Sequence, residues 1–280
     1  MKMSRTAARD VREPAVAGLF YPGNSETLRR DLESLFRKAK APSHSGVVRG
    51  IIAPHAGYMY SGFTAARGYA RLAGARYDTV VVVSPSHREF FEGVSVYPGS
   101  AYATPLGTVP IHAGLRDKLI KECPIVVASE VGHGEEHAIE VHLPFLQNIL
   151  PPFQLLPIVM GHQSREVCFT LGSALGSILM GENALLVAST DLSHFHPSTV
   201  ANHLDDIVIE DLKHFDGNGL MDDLDAGKCE ACGGGPTVAV MTALKALGVA
   251  AMEVVHHCNS GDVTGDTGSV VGYVAAVAYA

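Results

Sequence analysis

The sequence predicts a single layered α/β domain, with a mostly parallel central sheet flanked by helices. Three observations carry that expectation. Short apolar runs of the kind buried on both faces of a sheet recur at 47–53, 79–83 and 184–189. Amphipathic helical stretches alternate with such runs along the whole length, and neither a linker nor an internal repeat interrupts them. Finally, 280 residues that are 47% hydrophobic and 18% charged can bury a sizeable core. One domain over 1–280 is therefore expected, with 1–11 forming a flexible N-terminal tail.

Each element has a local reason. Residues 24–40 set Leu28, Leu32, Leu35 and Phe36 at helical spacing behind Asn24, a good N-cap. A strand over 47–53 stopped by Pro54, a helix over 62–72 and a strand over 79–83 stopped by Ser84-Pro85 form a right-handed strand–helix–strand unit. Beyond the Pro/Gly-punctuated stretch 97–112 come a helix over 114–122 and a strand over 126–128. Residues 136–150 read as a helix broken in register by Pro144. Pro157 makes 154–160 an edge or irregular strand. A helix over 164–180, the strand 184–189 and a helix over 200–215 follow. The chain ends with a helix over 237–247, entered through Gly233-Gly234-Gly235-Pro236, and strands over 252–257 and 269–279.

Composition excludes several functions. Lys and Arg number 21 against 29 Asp and Glu, a net charge of −8, and no basic cluster could follow a phosphate backbone. Nucleic acid and membrane are thus not expected partners. No apolar run approaches the roughly 20 residues of a membrane span, and the first residues lack the apolar core of a secretory signal. Five scattered cysteines do not make a disulfide framework. A cytoplasmic protein with reduced thiols is expected.

Histidine is the unusual entry, with 14 in a chain that has no tryptophan. Open parallel sheets bind ligands at the carboxyl ends of their strands. There the sequence places His55 after 47–53, His87 after 79–83, His162 after 154–160, and Asp191 and His194 after 184–189. One loop histidine is usually a satisfied surface residue, but several at strand ends point to a metal or acid/base site. Imidazole with carboxylate suits Zn, Fe, Cu or Ni. Cys232 precedes a glycine turn and a helix start, where backbone N–H groups favour thiolate. It reads as a metal ligand, a nucleophile, or a small buried residue beside glycines that allow close packing. Residues 133–142 hold three His and three Glu. If 136–142 are helical, Glu136 and Glu140 share a face beside His137, to orient ligands, to face substrate or to be solvated.

Six blocks then match one family in order from about residue 12 to the C-terminus. They are Gly18-Leu19-Phe20-Tyr21-Pro22, Ile51-Ile52-Ala53-Pro54-His55-Ala56-Gly57-Tyr58, Ser84-Pro85-Ser86-His87, Glu136-His137-Ala138-Ile139-Glu140-Val141-His142-Leu143-Pro144, Ser189-Thr190-Asp191-Leu192-Ser193-His194 and Cys232-Gly233-Gly234-Gly235-Pro236. Together they resemble the Memo family, whose bacterial and archaeal members are often called the Memo component, or protein B, of the AmmeMemoRadiSam system. The resemblance implies a fold like that of class III extradiol dioxygenases, non-heme Fe(II) enzymes that cleave catechol rings with two His and one carboxylate.

It also implies a His, His and Cys triad, making His55, His87 and Cys232 the metal ligands. Asp191 and His194 would line the site, with His137 and His142 close behind. In a catalytic set of His194, Asp191, His137 and His142, His194 or His137 would act as general acid/base and Asp191 would orient a His or a water. Fe(II) is the expected metal and Cu the alternative, since a thiolate favours Cu(I). A small catechol-like substrate and O2 follow, as do AMMECR-like and radical-SAM partner proteins. The competing readings are a non-catalytic metal- or redox-handling module and thiol chemistry at Cys232. Gly234-Gly235 and Ser193 depart from animal members of the family, and the glycines are expected to open the loop and widen access to the metal.

Overall fold

The computed structural model describes residues 10–40 and 46–280. The strands are β1 (Val11–Arg12), β2 (Val48–Ala53), β3 (Thr79–Pro85), β4 (Val94–Val96), β5 (Ala101–Thr104), β6 (Gly107–Pro110), β7 (Val126–Ala128), β8 (Gln154–Met160), β9 (Ala184–Ser189), β10 (His194–His196), β11 (Ala251–Asn259) and β12 (Val270–Tyr279). The helices are α1 (Ser25–Ala39), α2 (Tyr58–Tyr69), α3 (Ala113–Glu122), α4 (Leu143–Ile149), α5 (Arg165–Ile178), α6 (Ser198–Lys213), α7 (Gly217–Asp225), α8 (Gly234–Ala246) and α9 (Gly261–Thr264). None is long and apolar enough to cross a membrane, among the described residues.

The large sheet runs β10-β12-β2-β9-β3-β8-β4-β7, with β11 paired to β12. Its centre, β2-β9-β3-β8, is parallel, and β12 and β4 join antiparallel on either side. A small sheet, β1-β5-β6, stands apart. The pleat divides the core in two. Ile52, Val81, Val83, Leu156, Ile158 and Leu186 pack with side chains of α3, α5, α6, α7 and α8. Their sequence neighbours Ile51, Val80, Val82, Leu155, Leu185 and Val187 pack with α1, α2 and α4. Helices on both faces make the layered, mostly parallel α/β architecture that the alternation predicts. They also leave the carboxyl ends of β2, β3 and β9 as the rim where loops gather.

Several elements differ from expectation. The tail over 1–11 ends earlier, because Val11 and Arg12 pair with Ala101 and Tyr102 of β5; residues 1–9 lie outside the described residues. Strands β2 and β3 are parallel but not adjacent, since β9 lies between them. Within 136–150, only Leu143–Ile149 is α-helical, preceded by a 3-10 turn over Glu140–His142. The Glu136 carboxylate accepts the backbone N–H groups of His137 and Ala138, a local bond that competes with helix formation. Pro144 stands in the first turn of α4, where its missing N–H costs no helical bond, so it starts the helix rather than breaking it. Strand β8 is interior, between β3 and β4, despite Pro157. On the β4 side that proline falls between Leu155, bridged to Ile111, and Ile158, paired with Val96.

Candidate metal centre

Three loops deliver imidazoles to one point. His55 follows β2, His87 follows β3, and His137 sits in the irregular segment ahead of α4. One ligand nitrogen from each lies within 4.8 Å of the others, the grouping of metal-ligating atoms found among the described residues. The His87 and His137 rings stack with centroids 4.9 Å apart, and His55 meets His87 edge-on, also at 4.9 Å. The centre is reached from one side: side-chain exposure rises from 2% at His55 through 12% at His137 to 29% at His87. Burial, reinforced by the neighbouring histidines, pushes His55 well below its ordinary range. Burial likewise lowers His137 to about 4, with Glu136 opposing. Near neutral pH both rings are therefore in the uncharged form that ligates metal.

Glu136 sits behind two of the rings. Its Oε1 is 3.0 Å from His87 Nδ1 and 3.3 Å from His137 Nδ1, and its Oε2 accepts the backbone N–H of His87. Burial would raise this carboxyl, but its bonds to His87 outweigh burial and hold it down at about 2. An ionised carboxylate against the back of an imidazole fixes its orientation and leaves the opposite nitrogen for a metal. This is a donor set that fits a transition metal. Glu140 does not share the task. Its carboxylate binds Arg12 and accepts from the N–H groups of Ala15 and Val16 and from the Tyr21 hydroxyl. The two glutamates diverge because 136–139 are not helical.

Cys232, expected as the third ligand, touches this centre at His55, with Sγ 3.2 Å from Nε2. The third nitrogen of the grouping is instead that of His137, which had been placed behind the ligands. Burial pushes the Cys232 thiol well above its ordinary range, with Asp191 adding to the rise, so the thiolate expected from the glycine turn does not form unaided. That counts against thiol chemistry. Nor is the glycine loop open. A Cβ on Gly233 would lie 1.9 Å from the Ser189 carbonyl oxygen, and one on Gly235 would lie 2.8 Å from Gln163 Cβ. Gln163 clamps the loop by donating to the Cys232 carbonyl and accepting from Gly235 N–H, each at 2.8 Å. The glycines serve close packing, which seats Cys232 against His55.

Asp191 holds the His55 main chain: Oδ1 accepts its N–H at 2.8 Å, while Oδ2 stands 3.9 Å from Nε2. Burial raises this carboxyl to about 7. His194 donates from Nδ1 to the Leu192 carbonyl at 2.7 Å, which leaves its Nε2 as a basic nitrogen. Burial and the nearby His87 lower it. His142 is buried with both nitrogens engaged, one by Ser189 and one by Tyr69, so it positions its neighbours and does not face a substrate. His162 is exposed beside Glu92 and Phe90 and takes no part.

Sequence reasoning overlooked Ser189, Tyr69, Gln163 and the placing of Phe20, whose ring lies 4.8 Å from that of His137. Ser189 closes an apolar strand, and that position two residues before Asp191 was the available signal.

A family model described as Memo-like protein matches residues 12–277. The chain is 40% identical over 271 residues to a MEMO1 family protein of Methanosarcina mazei, covering 96% of this chain and 99% of that one. It is 37% identical over 272 residues to one from Methanothermobacter thermautotrophicus, covering 94% and 98%. A MEMO1 family protein of Aquifex aeolicus is 38% identical over 265 residues, with 94% and 97% covered. Among solved structures, an uncharacterized protein from Escherichia coli K12 aligns at a TM-score of 0.53 and 16% identity, covering 82% of this chain and all of that one. That likeness is one of fold.

Proposed function

The chain belongs to the Memo family, and we propose that within it the protein is a mononuclear non-heme iron oxidoreductase related to the class III extradiol dioxygenases. The observation that supports this reading is the convergence of three imidazoles, backed by a carboxylate, with His55 and His87 following the carboxyl ends of parallel strands. His55, His87 and His137 would hold the ion, with Cys232 beside His55 able to join them once its proton leaves. Bound there, Fe(II) would supply Lewis acidity and one-electron redox chemistry toward O2 and a small catechol-like substrate; Cu is the alternative.

The remaining groups have separate tasks. Glu136 orients His87, and Phe20 covers the His137 ring against water. Asp191 fixes the His55 backbone, and the free Nε2 of His194 can accept a proton from a substrate hydroxyl and return it. AMMECR-like and radical-SAM proteins are the partners we propose.

Anaerobic purification followed by elemental analysis tests the site. Near-stoichiometric iron in the wild type and its loss in His87→Ala are expected; a wild type that takes up neither Fe(II) nor Cu(I) removes the reading. Sustained O2 uptake with small catechols would then separate an oxidoreductase from a module that only holds metal.

A further inference from the structure

Behind His55 lies a chain of buried polar groups. It runs from Tyr69 at the end of α2, through His142 ahead of α4 and Ser189 at the end of β9, to His55 after β2, and all four residues are buried. We propose that Tyr69, His142 and Ser189 are positioning residues that fix the tautomer of His55, keeping hydrogen on Nδ1 and turning the bare lone pair of Nε2 toward His87 and His137. The purpose assigned to that lone pair rests on the metal reading above; the tautomer itself does not.

The assignment follows from counting protons. The Ala138 carbonyl can only accept, and Ser189 Oγ lies 2.7 Å from it, so the single hydroxyl proton is directed there. Oγ must then accept from both of its other neighbours, His55 Nδ1 and His142 Nε2, each at 2.7 Å. A neutral imidazole carries one hydrogen, so with that hydrogen on the nitrogen facing Oγ, His55 is bare at Nε2 and His142 is bare at Nδ1. The Tyr69 hydroxyl, 2.8 Å from His142 Nδ1, supplies the matching donor. At the other end Cys232 Sγ lies 3.2 Å from His55 Nε2, where a thiol would donate to that lone pair.

Reversing the chain is unfavourable. If Ser189 donated to His142, the Ala138 carbonyl would lose its partner and the Tyr69 proton would point at a ring N–H, and buried polar groups are costly to leave unpaired. Donation thus converges from both ends on Ser189, which passes its own hydrogen to the Ala138 carbonyl. The chain spans four elements, which also makes it a lock on the relative placement of β2, β9, α2 and α4.

Long-range 1H–15N correlation spectra of metal-free, histidine-labelled protein read the tautomers directly, and His55→Gln and His142→Gln assign the signals. The expected result is Nδ1–H for His55 and Nε2–H for His142. Ser189→Ala should leave His55 as a mixture of tautomers and weaken Fe(II) binding, measured anaerobically against a competing chelator, by about 10–100-fold. Tyr69→Phe, which keeps the ring in place, should give a tautomer mixture at His142 and a smaller loss of affinity. Tautomers as assigned in a wild type that takes up no Fe(II) support the relay and overturn the metal reading alone. His55 found with hydrogen on Nε2, or Ser189→Ala that keeps both the Nδ1–H tautomer and wild-type affinity, overturns the relay. Should Ser189→Ala not fold, the wild-type spectrum and Tyr69→Phe decide it.

Discussion

Phe195 is a residue whose backbone works against its side chain. Its φ is +62°, a left-handed conformation, and the ring is 76% exposed between two histidines. The strain of that conformation in a residue with a Cβ is roughly 1–2 kcal/mol, and little burial offsets it. The pairing of β10 with β12, whose register shifts between His194 and His196, imposes it. Phe195→Gly removes the strain but frees the unfolded chain, which returns about 0.4–1 kcal/mol. A net gain of about 0.5–1 kcal/mol in urea unfolding is expected, whereas Phe195→Ala, strained like the native residue, should change little. A glycine variant less stable than wild type would show that the ring's contact with His194, at 5.6 Å, outweighs the backbone. At this scale the site was legible in part. His55, His87, Asp191 and His194 stood out because each follows an apolar strand, but Ser189 and Tyr69 look in sequence like ordinary ends of a strand and a helix. Their role exists only once folding brings four segments together.

Among the elements, the segment 12–21 is held to 133–142 by a buried ion pair. Arg12 binds the Glu140 carboxylate and the carbonyls of His133 and Glu136. Glu140 in turn accepts from Ala15 N–H at 2.7 Å, Val16 N–H at 3.1 Å and Tyr21 OH at 2.5 Å. The clasp carries Phe20 onto His137, so the N-terminal segment packs against the candidate metal centre instead of hanging free of it. Glu140→Gln leaves the Arg12 guanidinium buried without its counter-charge, a loss of about 3–5 kcal/mol. Urea denaturation of metal-free protein checks this, and a loss below about 1 kcal/mol would mean that the clasp relaxes into water. The sequence showed Glu136 and Glu140 as one face of a helix because their spacing of four fits one. It could not show that each carboxylate would be taken by a distant partner, His87 in one case and Arg12 in the other.

For the whole molecule, alternation of strands and helices was enough to read the layered class, while strand order was not. Placing β9 between β2 and β3 depends on contacts more than a hundred residues apart, and so does the convergence of the loops after them. The same packing gives the protein a dependence on acid. His133 and His142 are lowered to about 3 and His137 to about 4, while His55 is lowered well below its ordinary value; burial is the leading cause for each. These rings stay neutral in the folded state but take up protons on unfolding near pH 6.5. Their contribution is therefore complete above that pH and is lost as pH falls toward 4. Two carboxyls act in the opposite sense: burial raises Asp191 to about 7 and, with Asp223 and Asp216 adding, Asp211 to about 6. Each favours the fold as pH falls below its raised value, with Asp211 partly screened by solvent. Four imidazoles outweigh two carboxyls, leaving a slope on the order of 2–3 kcal/mol per pH unit between about pH 6 and 4.5. Urea midpoints of the metal-free protein across that range should fall with pH, and His133→Gln, at a ring outside the group of ligand nitrogens, should reduce the slope by about 1.4 kcal/mol per unit. A flat profile from pH 6 to 4.5 would place those imidazoles in contact with water and remove the argument that the fold delivers His55 and His137 neutral to a metal.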